Sequence, residues 1–179
     1  MAERFDALNA KHIEFIRKQH MFFVATAAQT GTINLSPKGM DSLRVLGPNK
    51  VVWLNLTGSG NETAAHLLQS DRMTVMFCSF AKQPLILRLY GHATAVHPRD
   101  ERWTEYTTLI PGFTGARQFF ELDVDLVQTS CGYAVPHFEF KGDRATLTQW
   151  ADKKGRDGVE AYWEEKNRVS IDGFDTEIS

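Results

Sequence analysis

Cysteine is scarce in this chain. Its two thiols, Cys78 and Cys131, are too few and too far apart for a disulfide framework or a C-x-x-C motif. No charge of either sign dominates, since 20 Lys and Arg against 22 Asp and Glu leave a net charge of -2. Nucleic-acid binding needs a basic face, and anionic membrane surfaces recruit basic clusters, so neither partner is expected. Long apolar runs are missing too; none approaches the roughly 20 residues that span a bilayer. Met1–Lys18 is charged and polar rather than a secretory leader, and the expectation is a soluble, cytoplasmic protein. The six histidines, His12, His20, His66, His92, His97 and His137, contain no i, i+4 pair with an acidic partner of the kind that ligates zinc. Repeats, low-complexity tracts and interdomain linkers are absent, as are a Walker loop and a G-x-G-x-x-G fingerprint.

What remains is an ordinary globular composition, 42% hydrophobic and 23% charged over 179 residues, which suits one domain spanning 1–179. Phe5, Leu8, His12, Phe15 and Ile16 recur at helical spacing and predict an amphipathic helix over Ala2–Gln19. Met21–Ala28 and Thr32–Leu35 read as a hairpin joined at Gln29-Thr30-Gly31. Gly47-Pro48-Asn49-Lys50 is a turn, and Val51–Leu56 follows as a strand. Ser59-x-x-Glu62 fits a capping box ahead of a short helix, Thr63–Gln69. Arg72–Phe80, Leu85–Val96 and Gln118–Thr129 are further strands; a helix runs between the last two, opened by Pro98 and ended at Pro111-Gly112. Ala145–Lys154 and Gly158–Asn167 read as two C-terminal helices, within about 144 to 168, and the tail from Ser170 as loose. The strand connections are too short for parallel crossovers, so a mainly antiparallel α+β fold is expected: about six strands in a small barrel with peripheral helices.

The most informative stretch runs from Thr32 to Leu68. A strand-like run ends in Ser36, Pro37, Lys38 and Gly39, and a second apolar run breaks into Gly58-Ser59-Gly60-Asn61-Glu62-Thr63 at a helix start. Glycine-rich turns and helix N-termini offer N–H groups that nothing else uses. Asn61 and Thr63 add side-chain donors and Lys38 adds charge, which together suit a phosphate. Glu62 carries the wrong sign and is read as the capping partner of Ser59. The plain alternative is a turn and helix start beside a solvated lysine.

N-L-S-P-K-G, L-N-L-T-G-S-G-N-E-T-A-A-H-L, S-D-R-M-T-V-M-F and L-R-L-Y-G-H-A, in that order, resemble the pyridoxamine 5'-phosphate oxidase-related flavoproteins over about Phe22 to Val96. V-Q-T-S-C-G-Y-A-V-P and the tryptophan-bearing helices after it resemble a branch of the same family. The resemblance implies a six-stranded antiparallel split β-barrel that pairs as a homodimer with FMN at the subunit interface. It implies that Asn34, Leu35, Ser36 and Lys38 line the flavin ring and reach the phosphate, that Leu54 and Asn55 lie along the cofactor, and that Ser59, Asn61, Glu62 and Thr63 sit at the phosphate turn. The true oxidases are basic at the last two positions and end in an arginine- and tryptophan-containing tail. This chain has Glu62 and Thr63 and a tail with one arginine, so a substrate other than pyridoxamine 5'-phosphate is expected.

Arg88, inside the apolar run L-I-L-R-L-Y-G, either points outward or contacts the flavin or an acidic substrate. Cys131 is read as a small buried hydrophobe, with redox activity as the alternative. Ser130, Tyr133 and His137 are candidates for the substrate side. The functional expectation is an FMN-binding oxidoreductase of a small molecule; the alternatives are a non-catalytic FMN or haem protein on the same barrel, or an F420-dependent reductase.

Overall fold

A computed structural model describes residues 2–110 and 112–178. In chain order its elements are β1 (Glu3–Phe5), α1 (Ala10–Arg17), β2 (Phe22–Ala27), β3 (Ile33–Lys38), β4 (Leu43–Gly47), β5 (Lys50–Leu56), α2 (Glu62–Leu67), β6 (Arg72–Cys78), β7 (Ile86–Val96), α3 (Arg102–Leu109), β8 (Ala116–Ser130) and α4 (Thr146–Lys166). The strands form one antiparallel sheet in the order β3-β2-β6-β7-β8-β5-β4, with β1 added to β8. The expected antiparallel architecture holds, with eight strands among the described residues instead of six. The two additions are β1 and β4, each short and neither strongly alternating.

The sheet curls because its long strands do two jobs. The first half of β8 pairs with β5 and its last residues pair with β1, while β7 runs alongside nearly all of it. A register shift at Tyr90/Gly91 bends β7. Only glycine fits there, because a Cβ on Gly91 would lie 1.8 Å from the Asp123 carbonyl oxygen. Inside the curl sits an apolar core that includes Val24, Trp53, Val75, Phe77, Leu89, Phe120 and Leu122. A second cluster lies on the outer face, where Tyr106 of α3 and Ile110 just after it cover Val52, Leu54 and Phe119. Glu121, buried beneath α3, is held by Lys50 Nζ at 2.6 Å, Arg102 Nη1 at 2.5 Å and the Tyr106 hydroxyl.

Four expectations need correction. The first helix starts only at Ala10: Asn9 and His12 form a capping box there, and Glu3–Phe5 gain more by pairing with β8. Ser59 and Glu62 make no capping box; Asn61 occupies the cap position without a side-chain bond, and Glu62 Oε1 and Oε2 accept from the Ile171 N–H instead, both at 3.2 Å. Pro98 opens a turn, closed by Asp100 on the His97 N–H, and α3 begins four residues later. Pro111 lies outside the described residues. The tail after Ser170 is not loose. Asp172 Oδ2 accepts from the Thr32 N–H and hydroxyl at 2.8 and 2.7 Å, Val169 bridges to Asp175, and Thr176 and Ile178 are buried.

The two expected C-terminal helices are both present. α4 breaks at Gly155, whose φ of 68° and ψ of 173° are non-helical, and Ala151, Val159, Trp163 and Ile178 pack around the break.

Candidate functional site

β3, the end of β5, the Gly58–Gly60 turn, the start of α2, the start of β8 and the segment after α4 surround one cavity of about 610 Å³. Strand alternation explains how β3 contributes: Asn34, Ser36 and Lys38 share the inner face. Asn34 is the hub that joins the strands to α2. Its Nδ2 donates to Thr63 Oγ1 at 3.2 Å and to Thr26 Oγ1 at 3.3 Å, and its Oδ1 accepts from Ser36 Oγ at 2.8 Å. From β5, Asn55 Oδ1 accepts from Lys38 Nζ at 3.3 Å, and Asn55 Nδ2 donates to Asn61 Oδ1 and Gln118 Oε1.

Thus Asn34, Ser36, Lys38, Asn55, Ser59, Asn61, Glu62 and Thr63 come together around this cavity. Three other sequence candidates do not line it. Leu35 is 63% exposed on the far face of β3, and Leu54 is buried under α3. Arg88 alternates with buried Leu87 and Leu89, faces outward and donates to Ser130 Oγ at 3.1 Å. Cys131 is exposed rather than buried, a correction to its reading as a small buried hydrophobe, and Tyr133 and His137 are exposed as well.

The residue that sequence reasoning missed is Arg117. It is 2% exposed, and its Nη1 donates to Asn167 Oδ1 at 2.6 Å and to the Gly60 carbonyl at 3.1 Å. Both acceptors are neutral. The only sequence signal was a cation opening the apolar run A-R-Q-F-F. Its position depends on α4: Trp163 Nε1 donates to Thr57 Oγ1, Asn167 Nδ2 donates to the Gly58 carbonyl, and the helix end is thereby docked on the glycine turn.

Lys38 and Arg117 dominate the electrostatics. Burial, and then the Arg117 charge, push the Lys38 ammonium down to about 8; its Nζ also lies 5.2 Å from the centre of the Trp53 ring. Burial pushes the Arg117 guanidinium down to about 9, so both remain charged at neutral pH. Neither has a carboxylate ion-pair partner among the described residues, whereas Lys166 at the rim is paired with Glu165. Donors also outnumber acceptors. Asn61 Nδ2, Arg117 Nε and Gln118 Nε2 are buried and have no hydrogen-bond partner among the described residues. A buried donor without an acceptor costs about 1–3 kcal/mol, and an unpaired buried charge costs more. Such an arrangement suits an anionic ligand with several oxygen acceptors, and a phosphate monoester has that chemistry.

Residues 8–131 match the sequence profile of the family described as pyridoxamine 5'-phosphate oxidase. Over 147 residues the chain is 38% identical to the pyridoxamine 5'-phosphate oxidase family protein ustO of Aspergillus flavus; the match covers 79% of this chain and 59% of that relative's length. Among solved structures, a candidate pyridoxamine 5'-phosphate oxidase of Lactobacillus delbrueckii superposes with a TM-score of 0.57 at 18% identity, over 69% of this chain and 94% of that one. HutZ, the heme storage protein of Vibrio cholerae, superposes with a TM-score of 0.50 at 17% identity, over 70% and 97%. At these identities the structures speak for the fold alone. The profile takes in well over half of the chain, and its span carries β2 to β8 and most of the cleft's side chains: the chain belongs to the pyridoxamine 5'-phosphate oxidase family.

Proposed function

We propose that this cleft binds FMN by its phosphate, and that the protein is a flavin-dependent oxidoreductase of a small molecule working as a homodimer. The observation that carries this reading is the pair of buried cations, Lys38 and Arg117, without a carboxylate ion-pair partner among the described residues, beside the orphaned donor of Asn61. FMN, when bound, supplies two-electron redox chemistry, and the protein binds, orients and insulates it. Lys38 and Arg117 neutralise the phosphate, and Asn61 and the Arg117 Nε–H donate to its oxygens. Asn34 and Asn55 hold the surrounding strands in register. Glu62 also lines the cleft; its oxygens accept from the Ile171 N–H, and its charge favours the protonated Arg117. The basic pair missing at Glu62 and Thr63 is thereby replaced by one cation from β3 and one from β8. Iron ligation has less support: no His, Cys, Met or Tyr among the described residues lines this cleft.

Titration with FMN and with riboflavin tests the reading. FMN is expected to bind at least about 100-fold more tightly, the worth of one or two charge-assisted contacts, and to give a yellow protein that dithionite bleaches. Equal affinities would remove the phosphate role, and a colourless protein that takes up neither would sink the reading.

A further inference from the structure

Pro37 and Lys38 border a second cavity as well as the phosphate cleft. This trough, of about 580 Å³, lies on the other side of the end of β3. Its walls differ in character. Met21, Met40, Leu147 and Trp150 make them apolar, and Arg144 stands at the edge. Trp150 is half-buried; its ring meets Tyr162 edge-on at 5.1 Å and carries Lys154 at 5.4 Å, so its position is set by α4 itself. Arg144 is exposed and has no hydrogen bond or ion pair among the described residues. Asp143 supplies one negative charge, against Arg144 and Lys38. The first turn of α4, which opens beside the trough, contains no acidic residue.

We propose that this trough is the substrate compartment of the same site, and that it takes a small aromatic or apolar carboxylate. The apolar body lies against Leu147, Trp150 and the two methionines, and the carboxylate meets Arg144. This deepens the FMN reading and rests on it for the role of substrate. The size suits a ligand of one or two fused rings, since small-molecule pockets run from about 300 to 1,000 Å³ with apolar walls and few polar anchors. Methionine walls adapt to varied ring shapes, while the guanidinium fork selects a planar anion. Lys38, shared by both cavities, places this compartment next to the cofactor cleft.

The test uses 2-naphthoate, its uncharged counterpart 2-naphthalenemethanol, and acetate, each titrated into the labelled full chain with and without FMN and followed by NMR. Naphthoate is expected to shift the Leu147 methyls and the Trp150 indole N–H saturably, and to bind about tenfold more tightly than the alcohol. Acetate at the same concentrations is expected to shift neither. Arg144→Gln should lower naphthoate to the affinity of the alcohol and leave the alcohol unchanged; Leu147→Asp should weaken both. Equal affinities for the two ring compounds, a preference that survives Arg144→Gln, or shifts confined to Gly60 and Asn61 would each overturn the proposal. Naphthoate binding without FMN binding would leave the compartment standing and sink the cofactor reading. FMN binding without naphthoate binding would do the reverse.

Discussion

Lys38 and Arg117 oppose the stability of the fold they belong to. Each is a cation removed from water whose hydrogen bonds go only to neutral acceptors, and the Arg117 charge further lowers the proton affinity of Lys38. The Lys38 value of about 8 against the ordinary 10.5 means that the unfolded chain holds the extra proton between those limits. Stability of the ligand-free protein is therefore expected to rise with pH across pH 8 to 10.5, by about 3 kcal/mol from this group. Urea denaturation at pH 7.5 and pH 10 measures it, with inorganic phosphate as the second variable. Phosphate should stabilise the protein at pH 7 and lose its effect as Lys38 deprotonates. Lys38→Met should raise ligand-free stability by about 1–3 kcal/mol and abolish the phosphate effect. A variant that is destabilised and still answers to phosphate would show that Lys38 is structural only. Glu62 belongs to the same scale: its chemistry suggested a helix cap, and a tail that the sequence did not place took its oxygens instead.

Among the elements, β8 and α4 decide the site. β8 delivers Arg117 at its start and Glu121 four residues later, the first facing the cleft and the second facing α3. α4 brings Asn167 to Arg117 only because Gly155 turns the chain between its two segments. The bend in β7 is as strict. Gly91→Ala is expected to cost about 3 kcal/mol or more, since the new methyl would collide with the backbone of β8 rather than a movable side chain. Thermal denaturation of that variant checks this; a loss under about 1 kcal/mol would mean that the two strands separate easily. The helices of α4 were legible from Trp150, Tyr162 and Trp163 at helical spacing, and β2, β5 and β6 from their apolar runs. β1 and β4 were not, because their pairing partners, not their own patterns, make them strands.

For the whole molecule, β3 is an edge strand that leaves Ile33 78% and Leu35 63% exposed. Natural edges are usually charged or covered, so two bare aliphatics call for a cover. The proposed homodimer supplies one. Leu35→Glu is expected to shift the protein from dimer to monomer in sedimentation velocity at micromolar concentration, and to weaken FMN retention with it. A wild-type protein that sediments as a monomer there would refute the pairing. The sheet itself is open at β3 and β4, and the cleft lies inside the β3 edge, where a second copy would narrow it.

Local pattern alone determined a good deal. Alternation, helical spacing and turn residues are properties of neighbouring positions, so the antiparallel sheet, most of its strands and the meeting of Lys38 with the turn at Asn61 could be read from the order of residues; Asn34, Ser36 and Asn55 came from the family resemblance. Tertiary structure decided the rest. Arg117, Asn167 and the Glu62–Ile171 contact are separated from their partners by 50 residues or more. Whether a buried cation is paired, and by what, is a balance of desolvation and Coulomb energy between groups that meet only when the chain is folded.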